Sequence, residues 1–144
     1  MTTVQAILDQ KPRELWTVAP DETVYEALAL LAEKDIGALP VMVDERLEGI
    51  FSERDYARKV ILKGKSSRDL PVREIMTSSV FCLHPEQSAE EAMTLMTEHR
   101  VRHVPVKEGD HVLGIISIGD VVKAIISERE FVIEQLESYI SSAR

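Results

Sequence analysis

Residues 18 to 55 of this chain align onto residues 83 to 120 without a gap, at a constant offset of 65. Identities fall at Pro20, Glu26, Ala27, Leu30, Glu33, Pro40, Val41, Gly49, Ile50, Ser52 and Asp55, and most other pairs keep their character, as Asp21 does with Glu86 and Thr23 with Ser88. Such self-similarity restricts the chain to two copies of one supersecondary unit. Upstream, "VQAIL" at 4 to 8 resembles "VREIM" at 72 to 76 at an offset of 68, so three extra residues lie in the first copy's loop "DQKPRE". The expected division is a first repeat at 4–64, a linker at 65–71 within "LKGKSSRDLP", a second repeat at 72–127 and an amphipathic C-terminal helix at 128–144. One copy has too little core to stand comfortably alone, so the two are expected to pack face to face with pseudo-twofold symmetry.

Each copy parses alike. "TVYE" at 23 to 26 and "SAEE" at 88 to 91 have the hydroxyl-x-x-carboxylate form of a capping box and start a helix. Val24, Ala27, Leu28 and Leu31, and likewise Ala89, Ala92, Met93 and Met96, recur at i, i+3, i+4 and i+7, which gives each helix one apolar stripe. Short strands follow ("ALPVMV" with "LEGIFS", "HVPV" with "VLGIIS"), joined by the turns "DER" and "EGDH". A second helix comes next, "ERDYARKVIL" in one copy and "GDVVKAII" in the other. With an apolar strand expected at "LWTV" and "VFCL" before the first helix, each half reads β-α-β-β-α, an α+β fold.

Composition narrows the setting. A chain of 144 residues, 44% hydrophobic and 29% charged, buries a real core. No apolar run is long enough to span a membrane and "MTTVQAILDQ" lacks the pattern of a signal peptide, so the cytoplasm is the expected location. The net charge of -8 argues against nucleic acid as a partner, because phosphate-backbone affinity comes from basic residues. Cys82, the single cysteine, forms no internal disulfide and reads as a small packed hydrophobe.

The paired "GALPVMV" and "RHVPV" with the phrases "GIFSERD" and "GIISIGD" resemble a tandem pair of cystathionine-beta-synthase (CBS) domains, a Bateman module, from about Val4 to Ile126. The resemblance is strong for the fold, since two copies agree in register, and it leaves no segment for an enzyme domain. It implies a regulatory module that binds adenosine-containing ligands (AMP, ADP, ATP or NAD(H)) in clefts between the repeats, pairs into homodimers and signals to a target protein the sequence does not identify. Small stand-alone bacterial or organellar members look similar.

The repeated phrase has two readings. In one, Ser52 with Asp55 and Ser117 with Asp120 are helix caps. In the other, the helix N-terminus receives phosphate while the aspartate accepts hydrogen bonds from the vicinal hydroxyls of a ribose. Carried over by position, the resemblance implies a first site of Ser52 and Asp55 with Gly37, Ala38 and Leu39 near the base, and a second of Ser117 and Asp120 with Arg102, His103 and Val104. The copies differ in charge. Arg54 follows the first serine, with Arg58 and Lys59 a turn later, whereas the second copy has Ile118, Gly119 and only Lys123. Arg100, Arg102 and His103 stand where the first half has "KDIGALP", so the second half is expected to supply cations across the cleft, Arg102 and His103 above all. A structural scaffold whose clefts bind no nucleotide is the alternative.

Other features read plainly. "GKSS" at 64 to 67 is a linker, since the first glycine of a phosphate loop is missing. The histidines at 84, 99, 103 and 111 lack metal-site spacing, and no catalytic triad is evident. Trp16 is expected to pack at the first lead-in strand. In "SEREFVIEQLESYI", Val132 or Ile133, Leu136 and Ile140 fall at helical spacing, to pack on their own module or to meet a second copy.

Overall fold

The computed structural model describes residues 1–12 and 14–142; Arg13, in the expected "DQKPRE" loop, and Ala143 and Arg144, at the end of the expected tail helix, lie outside the described residues. In chain order the elements are α1 (Val4–Asp9), α2 (Val24–Lys34), β1 (Ala38–Val43), β2 (Arg46–Ser52), α3 (Glu53–Lys59), α4 (Ala89–His99), β3 (His103–Glu108), β4 (His111–Ser117) and α5 (Ile118–Ser142). Short 3-10 turns stand at Ile61–Lys63 and Val72–Glu74.

Helices α2 and α4 begin where the repeat predicts. The Thr23 hydroxyl accepts from the Glu26 amide and the Ser88 hydroxyl from the Glu91 amide, both at 3.1 Å. Only this hydroxyl half of each expected capping box forms among the described residues. Both helices end on a residue in the left-handed region, Asp35 at φ 53° and Arg100 at φ 55°, which turns the chain into β1 and β3.

Each half carries one antiparallel hairpin, β1 with β2 and β3 with β4, closed by a two-residue turn. The first turn residue has positive φ in both, Asp44 at 55° and Gly109 at 62°. Register places Ala38 opposite Ser52 and His103 opposite Ser117, so the start of each hairpin lies beside its motif serine. The expected lead-in strands shrink to single parallel bridges, Val18 with Val41 and Leu83 with Val106. Pro20 and Pro85, two residues on, have no amide to continue a ladder.

Two cores form, and each takes a segment from the other half. Val4 and Ile7 of α1 pack with Leu83, Met96, Val104 and Ile116 of the second half. Val72 and Ile75 pack with Val24, Leu31, Leu39 and Phe51 of the first. Backbone pairing repeats the exchange: Thr3 bridges Ser88, and Thr23 bridges Pro71. Gly49 and Gly114 permit the close approach, since a Cβ on Gly49 would sit 2.7 Å from the Thr77 carbonyl and one on Gly114 2.9 Å from a Leu8 methyl. The halves are therefore bound by exchanged segments.

The last helix departs from expectation. The second helix and the tail form one helix, Ile118–Ser142, because "SERE" contains neither Gly nor Pro to break it. Packing of the tail on its own module is not what forms. Ile133, Leu136, Tyr139 and Ile140 are 54%, 57%, 73% and 60% exposed. No helix among the described residues is long and apolar enough to cross a membrane.

Candidate functional site

Both serine-aspartate phrases fold as reciprocal caps. The Ser52 amide donates to Asp55 Oδ2 at 2.9 Å while the Asp55 amide donates to Ser52 Oγ at 3.3 Å. The Ser117 amide donates to Asp120 Oδ2 at 2.8 Å while the Asp120 amide donates to Ser117 Oγ at 3.1 Å. The first helical amides are engaged too: Glu53 N–H donates to the Gly37 carbonyl at 3.2 Å and Ile118 N–H to the Arg102 carbonyl at 2.9 Å. These amides, expected to be open to phosphate, are already satisfied.

Beyond the caps the copies diverge. Asp55 is buried, 7% exposed, and saturated. Its carboxylate also accepts from the Ser52 hydroxyl at 3.1 Å and the Thr77 hydroxyl at 3.3 Å, and pairs with the Lys59 ammonium at 3.0 Å. Lys59 further donates to the Ile75 carbonyl at 3.0 Å, which locks it in place. Asp120 is more open, its side chain 27% exposed. Its side-chain partner is Lys11, whose ammonium donates to Asp120 Oδ2 at 2.7 Å and to the Ile115 carbonyl at 2.9 Å. Burial opposes ionisation of Asp120, but the Lys11 and Ser117 hydrogen bonds outweigh it and hold the carboxyl below its ordinary range.

Lys11 also lines a cleft of about 450 Å³ between the halves. Leu15, Trp16, Ile36, Ala38 and Pro40 form one wall and Leu113, Gly114 and Ile115 of β4 the other, with Lys34 at the rim. The Lys34 ammonium sits 4.0 Å from the centroid of the Trp16 ring. A flat aromatic face and aliphatic side chains, with Lys11 and Lys34 beside Asp9 and Glu14, suit a planar heterocycle joined to a polar group. Asp120 lies behind Lys11, against a neighbouring cavity of about 730 Å³.

The sequence-predicted residues are distributed unevenly around this cleft. Ala38 lines it, together with residues of the second half, so the wall is built across the repeats. Gly37 faces His103, where an added Cβ would lie 2.9 Å from Nε2. Leu39 and Val104, 0% and 1% exposed, send their side chains into the two cores and away from any cleft. Arg100 is exposed at the C-cap of α4, Arg102 is exposed, and Arg54 is half-buried on α3. Burial lowers the pKa of His103, and Lys11 and Arg102 lower it further against the pull of Asp120, which works against the cationic form expected of it. Burial also pushes the Cys82 thiol up, in keeping with a packed side chain. Among the described residues no group of three or more His, Cys, Asp and Glu side chains is placed to hold a metal ion.

Sequence reasoning missed Lys11 and did not assign Trp16 to a cleft. Lys11 lies in the stretch that carries the three-residue insertion, so it has no counterpart in the other copy. A lysine in the stretch that carries the insertion was the available signal.

The pattern of repeated caps, paired hairpins and exchanged segments at 4–7 and 72–75 defines a tandem CBS architecture. The CBS domain model matches residues 11–62 and 72–127, and the chain belongs to the CBS-domain family. A tandem CBS pair is a regulatory module. A solved protein with CBS domains from Burkholderia ambifaria is 51% identical, covering 88% of this chain and 95% of that one, with a TM-score of 0.84. The mitochondrial CBS domain-containing protein CBSX3 of Arabidopsis thaliana is 37% identical over 96% of this chain and 72% of its own length. A CBS domain pair solved in complex with 5′-methylthioadenosine and S-adenosyl-L-methionine shares the fold at 23% identity, over 89% of this chain and 98% of that one, with a TM-score of 0.77.

Proposed function

We propose that the chain is a nucleotide-sensing module that takes an adenosine-containing ligand (AMP, ADP, ATP or NAD(H)) into the cleft between its repeats and reports occupancy to a partner protein. The observation that carries this reading is the cleft itself. Its volume of about 450 Å³ lies within the range of small-molecule sites. Trp16 offers a stacking face for the base and Ile36, Ala38 and Leu113 an apolar surround. Asp120, outside the lining but paired with Lys11 at its edge, would be the carboxylate for the ribose hydroxyls. Lys11 and Lys34 supply positive charge for phosphate, a role the sequence had placed on Arg102 and His103.

The module regulates and does not catalyse. Because the cleft walls come from both halves, a ligand bound there biases their relative arrangement to the extent that it binds one arrangement more tightly. The exposed apolar side chains of the α5 tail are available to a second copy, and we place the active form as a homodimer in the cytoplasm.

Trp16 is the single tryptophan, so its fluorescence reports the cleft directly. Titration with AMP, ADP, ATP and NAD is expected to give a saturable change with at least one of them. A flat signal with all four, in protein confirmed to be ligand-free, overturns the reading. The scaffold alternative is favoured by one specific observation, that Asp55 is fully engaged within the fold. It predicts that flat signal.

A further inference from the structure

Lys11 belongs both to the fold and to the cleft. Its ammonium donates to Asp120 Oδ2 at 2.7 Å and to the Ile115 carbonyl at 2.9 Å, while its side chain lines the cleft in which the ligand would sit. The Ser117 amide donates to that same Oδ2. Asp120 does not itself line that cleft but lies behind Lys11, against the neighbouring cavity that Lys11 also lines. A ribose diol that reaches its carboxylate from the cleft therefore competes with Lys11 for Oδ2. One must give way.

The side chain of Lys11 is 32% exposed and comes from the insertion-bearing segment after α1, whereas its counterpart on Asp55 is fixed within a helix. Lys59 sits on α3 one turn from Asp55 and is pinned to Ile75, so it has no reason to leave. Lys11 can turn from Asp120 into the cleft, but an ammonium moved away from its counter-ion needs another anion. A phosphate group carried by the ligand supplies it, through charge-assisted hydrogen bonds. A neutral nucleoside does not, and a ligand bearing a cationic sulfonium adds a repulsion.

Resting on the nucleotide reading, we infer that Lys11 is a displaceable counter-ion that guards Asp120 and makes the cleft select phosphorylated adenosine ligands over the neutral nucleoside. The guard opposes every ribose equally and is compensated only by phosphate. Its removal should therefore weaken the phosphorylated ligand while leaving the nucleoside unharmed or improved.

The test is the affinity of AMP and of adenosine, read by Trp16 fluorescence, in the wild type, Lys11→Met and Lys11→Arg. The wild type is expected to prefer AMP by about tenfold or more, the scale of one charge-assisted hydrogen bond. Lys11→Met should weaken AMP by about tenfold and leave adenosine unchanged or tighter, because Asp120 is freed. Lys11→Arg should restore the preference. Weakening of both ligands by a common factor overturns the inference, since loss of a merely structural contact would act that way. An unchanged ratio of the two affinities overturns it as well, and leaves the nucleotide reading standing. Silence of the wild type toward both ligands overturns the nucleotide reading, and this inference with it.

Discussion

Asp55 and Asp120 occupy one position of the repeat and carry different loads. Asp55 is buried among hydroxyl, amide and ammonium donors. Asp55→Ala strands those donors and is expected to destabilise the fold by about 2–3 kcal/mol, from a lost cap together with a broken part-buried ion pair. Asp120→Ala should cost about 1 kcal/mol, since its pair with Lys11 is partly open to solvent. Urea denaturation of the two variants checks this, and equal losses would contradict it. His103 adds a pH dependence. Its folded pKa is lowered, so as pH falls the unfolded chain takes up a proton before the folded chain does. Its contribution is complete above the ordinary histidine pKa and is lost as pH falls from there through the folded value. The lowered pKa of Asp120 acts in the same direction at lower pH, below the ordinary carboxylate range. Melting temperature should therefore fall as pH drops below the ordinary histidine range, and His103→Gln should flatten that first decline. An unchanged decline in the variant would contradict the assignment.

At the scale of elements, much was legible because the determining signals are local. The helix caps, the apolar stripes of α2 and α4 and both hairpins follow from spacing within a dozen or so residues. The exchange of the segments at 4–7 and 72–75 was not legible. Val4 and Ile7 are as apolar as Val72 and Ile75, and nothing in a local pattern says which core a segment joins. The continuous α5 was missed because the end of the repeat at residue 127 was read as the end of a helix, whereas "SERE" holds no residue that stops one. Two glycines test the exchanged packing. Gly49→Ala drives a methyl against the backbone carbonyl of Thr77, and Gly114→Ala drives one against the flexible end of Leu8. The first should cost about 1–3 kcal/mol and the second clearly less, because only a side chain can yield cheaply. Thermal denaturation of both variants decides it, and the reverse order would show that Thr77 does not approach as described.

For the whole molecule, the pseudo-twofold repeat yields two caps that differ in their surroundings and a composite cleft. The candidate site was only partly legible for that reason. The expected position of the cleft, between the repeats, brought in Ala38, but alignment of the copies carried each residue over by position within one half and so did not find the partners that stand opposite it. Leu39 and Val104 fall out of the site because alternation along β1 and β3 turns them into the cores. Lys11 and Trp16 enter it because the longer first segment between α1 and Val18 runs past β4 of the second half. The central claim is that this composite cleft, with Asp120 behind Lys11 at its edge, binds an adenosine nucleotide. Calorimetric titration of AMP, ATP and NADH into ligand-free wild type and into folded Asp120→Ala tests it most directly. The account predicts saturable binding of at least one of them, weakened tenfold or more in the variant, on the order of the loss of charge-assisted ribose hydrogen bonds. Absence of binding to the wild type, or equal affinity in the variant, would contradict it.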